Sequence, residues 1–138
     1  MTSTPAEGRL RVVLADDHPP VLEEIRALLS EDFDVIAAVR GARTLIASAE
    51  ALRPDAVISD ISMPDMDGIE AARRILAAGT AATAIVLTMH NDPHLLDRAI
   101  GAGVRGFVLK VDAGEELIDA VREAERGGTY VSRSVRAR

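Results

Sequence analysis

The chain has no cysteine, no tryptophan and only three aromatic residues among its 138, namely Phe33, Phe107 and Tyr130. The missing cysteines exclude a disulfide framework and thiolate chemistry. With so few rings, the core has to be aliphatic, and 48% apolar residues are enough to build one. No run approaches the roughly 18 apolar residues of a membrane span. The polar N-terminus lacks the basic start and apolar middle of a secretion signal. A cytoplasmic location and no membrane partner are therefore expected. Excess positive charge is missing too. The formal net charge of −6 argues against nucleic-acid binding by this segment, because a DNA footprint needs a basic face. Lysine is almost absent: Lys110 stands alone beside fifteen arginines.

What is present alternates. Apolar runs at Arg11–Ala15, Asp34–Val39, Ala56–Ser59, Ala84–Leu87 and Gly106–Leu109 read as strands. Helical periodicity fills the gaps at Pro20–Ser30, Ala42–Leu52, Gly68–Ala78, Pro93 to about Ala102 and Ala113 to about Arg126. Asp67 and Asp92 stand where helix caps belong. Five strands and five helices in strict alternation predict one α/β domain, a parallel sheet covered on both faces. Met1 to Gly8 is expected to be a flexible leader. In such sheets ligands bind beyond the carboxyl ends of the strands. Four of those ends carry Asp16-Asp17, Asp60, Thr88 and Lys110.

Three carboxylates, a hydroxyl and an ammonium at one sheet edge suit a divalent cation and a phosphoryl group. Clustered carboxylates repel one another, and a hard cation with oxygen ligands relieves the repulsion. Asp60 is the candidate nucleophile, since a carboxylate can form an acyl phosphate. Magnesium, Lys110 and Thr88 would neutralise the equatorial oxygens. Each residue also has a plainer role. Asp16 and Asp17 could cap the first helix, Asp60 could be a turn residue, and Thr88 and Lys110 could be structural or solvated. The coincidence of four equivalent strand ends favours the joint site. His18 and His94 read as a loop residue and a surface helix residue. No histidine spacing suggests zinc.

Leu14-Ala15-Asp16-Asp17-His18-Pro19, Asp60 to Gly68, Leu87-Thr88-Met89-His90 and Gly106-Phe107-Val108-Leu109-Lys110 together resemble a response-regulator receiver domain. The match runs from about Leu10 to Arg126. The Leu-Thr-Met-His segment and the stretch Arg126 to Ser132 resemble the NarL/FixJ-type (LuxR-class) transcriptional regulators. The resemblance implies a flavodoxin-like (βα)5 doubly wound fold, strand order 2-1-3-4-5, with the receiver over residues 9–127. Residues 128–138 would begin a linker toward a helix-turn-helix domain absent from this chain. It also implies Asp60 as phospho-acceptor and magnesium, with manganese as an alternative, on Asp16, Asp17, Asp60 and the Ser62 carbonyl. Thr88 and Lys110 would grip the phosphoryl group, and Phe107 would be the aromatic switch residue. Ser62 and His90 would tune the lifetime of the phosphate. The implied partners are a sensor histidine kinase, small acyl phosphates as donors, and a second copy in a phosphorylation-dependent homodimer. The protein would be a phospho-acceptor switch that catalyses only its own phosphorylation and dephosphorylation. A haloacid-dehalogenase-type hydrolase would use a similar set, but it needs an acid/base Asp where Ser62 stands. A nucleotide binder would need a glycine-rich loop after the first strand, and none is there.

Overall fold

The computed structural model describes residues 8–136. The leader expected before Gly8 lies outside the described residues. The chain runs β1 (Arg11–Ala15), α1 (Pro19–Ser30), β2 (Asp34–Val39), α2 (Ala42–Leu52), β3 (Ala56–Asp60), α3 (Gly68–Ala78) and β4 (Thr83–Thr88). It continues with α4 (Pro93–Gly101), β5 (Gly106–Leu109), a single 3-10 turn (Lys110–Asp112), α5 (Ala113–Glu125), β6 (Tyr130–Val131) and α6 (Arg133–Arg136). The strands form one sheet in the order β2-β1-β3-β4-β5-β6, all parallel. The expected order 2-1-3-4-5 is there, extended by a short sixth strand at the β5 edge.

Strand alternation sends side chains to two separate cores. Val12, Leu14, Ile58, Ile85, Leu87 and Val108 share one with α1 and α5. Val13, Val57, Val86, Phe107 and Leu109 share the other with α2, α3 and α4. Both faces are covered, so β3 and β4 are buried along their whole length, as their unbroken apolar runs require.

The helix starts follow local chemistry. Asp67 accepts from Ile69 N and Glu70 N at the head of α3, and Asp92 accepts from His94 N at the head of α4. Helix α2 has no such residue of its own, since Gly41 precedes it. Asp65 caps it from the β3–α3 loop instead, accepting from Ala42 N at 3.0 Å and Arg43 N at 2.9 Å. That loop is thereby tied to the neighbouring helix while its other end carries Asp60. No helix among the described residues is long and apolar enough to cross a membrane.

Candidate functional site

The chain reverses its winding direction between β1 and β3, which makes the gap beyond their carboxyl ends the topological switch point. Ala15 pairs with Ser59, so the next residues, Asp16 and Asp60, stand side by side at the carboxyl edge of the sheet. Asp16 is wholly buried and Asp60 is 3% exposed. Lys110, at the end of β5, reaches back across β4 to both of them. Its Nζ lies 2.9 Å from Asp16 Oδ2 and 3.1 Å from Asp60 Oδ2. Asp60 Oδ1 accepts from Ser62 N at 3.3 Å. Thr88 is buried at the end of the intervening β4, where its Oγ1 accepts from His90 N at 3.0 Å.

Burial pushes the Asp60 carboxyl above its ordinary pKa of 3.8, outweighing the pull of the adjacent Lys110 ammonium. Burial alone would lower the Lys110 pKa, but the Asp16 and Asp60 carboxylates overcome it and hold the ammonium above its ordinary 10.5. The lysine is thus a fixed cation against two buried carboxylates at neutral pH.

Neither carboxylate after β1 caps α1. The cap position is His18, without a side-chain cap, and its N–H donates to Asp16 Oδ1 at 2.9 Å. Asp17 Oδ1 is a buried oxygen that no group among the described residues hydrogen-bonds. His18 Nδ1 approaches it to 3.1 Å. Asp16, Asp17, His18 and Asp60 can each present one ligand atom so that all four lie within 4.8 Å of one another. A buried Asp17 oxygen approached, among the described residues, only by the His18 ring, beside the Asp16 and Asp60 carboxylates, is a donor set that fits a hard cation. The sequence reading of His18 as a plain loop residue misses its place at this cluster. It has no histidine or carboxylate partner at helical spacing, and only the turn after β1 brings its ring round. His94 is exposed near the start of α4, as expected.

Of the other predicted residues, Ser62 and His90 come to the same place as Asp60 and Lys110, and Phe107 does not. Ser62 and His90 line a small cavity of about 70 Å³ with His18, Asp60, Met89 and Lys110. A larger groove of about 560 Å³ opens beside it, walled by Val21, Glu24 and Ile25 of α1 and by Met89, Leu109 and Val111. Phe107 is 1% exposed, with its ring inside the α2–α3–α4 core. Gly68 is forced by close approach. A Cβ there would run into the backbone carbonyl oxygen of Asp60. The head of α3 therefore packs directly behind the candidate nucleophile.

Residues 12–122 match the sequence profile of the response regulator receiver domain. The chain belongs to the response regulator receiver family. It is 37% identical over 123 residues to an uncharacterized transcriptional regulatory protein, YxjL, of Bacillus subtilis, covering 88% of this chain and 56% of that protein. The response regulator protein VraR of Staphylococcus aureus is 34% identical over 120 residues, which span 86% of this chain and 57% of VraR. This receiver chain spans little more than half the length of those relatives. Among solved structures, a LuxR-family two-component response regulator from Aurantimonas superposes with a TM-score of 0.88 at 30% identity, covering 94% of each chain. The isolated receiver domain of RcsB from Salmonella enterica, solved with the phosphomimetic BeF3−, gives 0.84 at 31% identity over 94% of this chain and 98% of that one. The NarL/LuxR-class resemblance and the flavodoxin-like fold thus both hold for this receiver.

Proposed function

We propose that this receiver takes a phosphoryl group on Asp60 and that the modified state alters its surface toward a partner. The observation that carries the reading is the single lysine, bonded at once to a buried carboxylate and to the candidate nucleophile. The donor expected is a phosphohistidine on a sensor kinase, with small acyl phosphates as substitutes. An Asp60 oxygen attacks phosphorus, the donor's P–N bond breaks, and the leaving imidazole recovers a proton. Burial makes the Asp60 carboxylate more basic than an ordinary one and so a better nucleophile. Lys110 keeps its tie to Asp16 and exchanges its Asp60 contact for a phosphoryl oxygen. Thr88, freed from the His90 amide, would donate its hydroxyl to another.

Asp16, Asp17, Asp60 and the Ser62 carbonyl are the residues that would hold magnesium, with manganese as an alternative. The cation supplies neutralisation of the phosphoryl oxygens. Ser62 and His90 line the small cavity that Asp60 and Lys110 also line, and an attacking water would approach Asp60 through it. This supports a role for both in setting how long the phosphate lasts. The output proposed is the surface of α4, β5 and α5. In a longer protein like its relatives, that surface would control transcription through a DNA-binding domain. The module so described is a switch without turnover of a diffusible substrate.

Intact mass after treatment with a small phosphodonor and magnesium should rise by one phosphate, and Asp60→Asn should gain none. Phosphate on the Asn protein would remove Asp60 from the role. Steady release of inorganic phosphate from a phosphomonoester would favour a hydrolase instead.

A further inference from the structure

The sequence reading makes residues 128–138 the start of a linker, yet Tyr130 and Val131 pair with β5 and Arg133–Arg136 form a short helix after them. Tyr130 N donates to Arg105 O at 2.9 Å and Ser132 N to Phe107 O at 2.9 Å. The ladder then continues by one rung through a side chain. Ser132 is wholly buried, and its Oγ accepts from Leu109 N at 2.9 Å. Leu109 is the residue immediately before Lys110. On the other side of Lys110, Asp112 closes the 3-10 turn, and its Oδ2 accepts from Ser134 Oγ at 3.1 Å. Two serines of the tail therefore bracket the one lysine of the site.

The tail is itself anchored. Glu116 of α5 is a buried carboxylate that accepts from Tyr130 Oη at 2.9 Å, Arg133 N at 3.2 Å and Arg133 Nε at 3.4 Å. On the opposite face, Val131 and Val135 join the core that holds Phe107 and Leu109.

We infer that Ser132 is a positioning residue for phosphoryl transfer: by fixing the Leu109 peptide it sets where the Lys110 ammonium stands over Asp60. This rests on the proposed role of Asp60. The coupling runs both ways, because linkage between two sites is reciprocal. If the docked tail places Lys110, then a phosphoryl group that draws on Lys110 changes how firmly the tail is docked. The segment Tyr130–Arg136 is thereby a lever between the site and whatever chain follows it.

The test uses the full chain with magnesium, acetyl phosphate as donor and beryllofluoride as the phosphoryl mimic. Ser132→Ala is expected to slow phosphate uptake at Asp60 about tenfold, short of the roughly hundredfold that a 1 Å misplacement can cost. Ser132→Thr keeps the hydroxyl and should recover most of the rate. Ile75→Val trims packing in the same core from α3, whose main contacts are with α2, β3 and β4, and should leave the rate as it is, which separates positioning from lost stability. In the unsubstituted chain, the mimic should alter amide exchange at Leu109, Tyr130 and Ser132. A native rate in Ser132→Ala overturns the positioning role. Should that variant not fold, the exchange measurement decides, and three unaltered amides overturn it. Absence of phosphate uptake by the unsubstituted chain is a distinct result: it defeats the Asp60 reading and this inference with it.

Discussion

Asp60 is held ionised at neutral pH against the cost of its own burial. Its pKa is raised in the folded chain, so its contribution to stability is present below the ordinary carboxylate range and is lost as pH rises through the raised value. At neutral pH the native protein therefore carries a charge it would be more stable without. Asp60→Asn removes that charge and leaves the Lys110–Asp16 pair in place. The variant should melt a few degrees higher than the native protein at pH 7 in the absence of metal, the range expected for a change of about 1 kcal/mol. The gap should close as pH falls toward 4. An Asn variant that melts lower at pH 7 would mean that the Lys110 contact outweighs desolvation. Lys110→Arg is not a conservative change here, since a planar fork cannot replace a compact ammonium between two carboxylates. Asp60, Asp16 and Lys110 are legible in the sequence because each follows an apolar run, and a strand end is a place the fold alone defines. His18 is not legible, because only the turn geometry puts its ring at the carboxylates.

Helix ends and loops decide how firmly those residues are placed. Asp65 looks like one more acidic loop residue in the sequence, and nothing near it in the chain shows that it caps α2, some twenty residues earlier. The Arg43 and Ala42 amides hold its carboxyl below the ordinary range. Its contribution is therefore present above that range and lost as pH falls through the lowered value. Asp65→Ala should lower the melting temperature at pH 7, with faster amide exchange at Ala42 and Arg43, while phosphate uptake continues. Unchanged exchange there would show the cap to be idle. Gly68→Ala is the harsher test of the same loop, because the added methyl meets the Asp60 carbonyl. Overpacking of that kind costs about 1–3 kcal/mol, and here it should also slow phosphate uptake. Loss of stability alone, with native uptake, would separate the loop from the nucleophile. The five long strands and five long helices were open to reading by periodicity. Strand β6 was not, because two residues have no measurable period, and what holds them is pairing to β5 and the Glu116 contacts.

For the whole molecule, burial narrows the surface available to a partner. The apolar stripe on α5 packs on the sheet, with Leu117 and Val121 fully buried. On α4, Leu95 and Leu96 are partly covered by the core, and Ile100 is left 46% exposed. A standard interface buries roughly 800 Å² on each partner, and Ile100 with its half-covered neighbours on α4 falls well short of that; the more exposed Met89 and Val111 wall the groove beside the site and lie apart from the α4 stripe in sequence. The unmodified chain should therefore sediment as a monomer at micromolar concentration, with a net charge of −6 adding repulsion between copies. Association on phosphorylation needs only a modest shift. A change of about 1.4 kcal/mol in the balance between two surface arrangements alters their ratio tenfold. Beryllofluoride with magnesium should thus raise the weight-average mass, and Ile100→Glu should abolish that rise while Asp60 still takes up phosphate. If the Glu variant associates as the native chain does, the contact lies away from α4. If neither chain responds to the mimic, pairing of copies is not an output of the isolated receiver, and its modified surface must be read by a different protein.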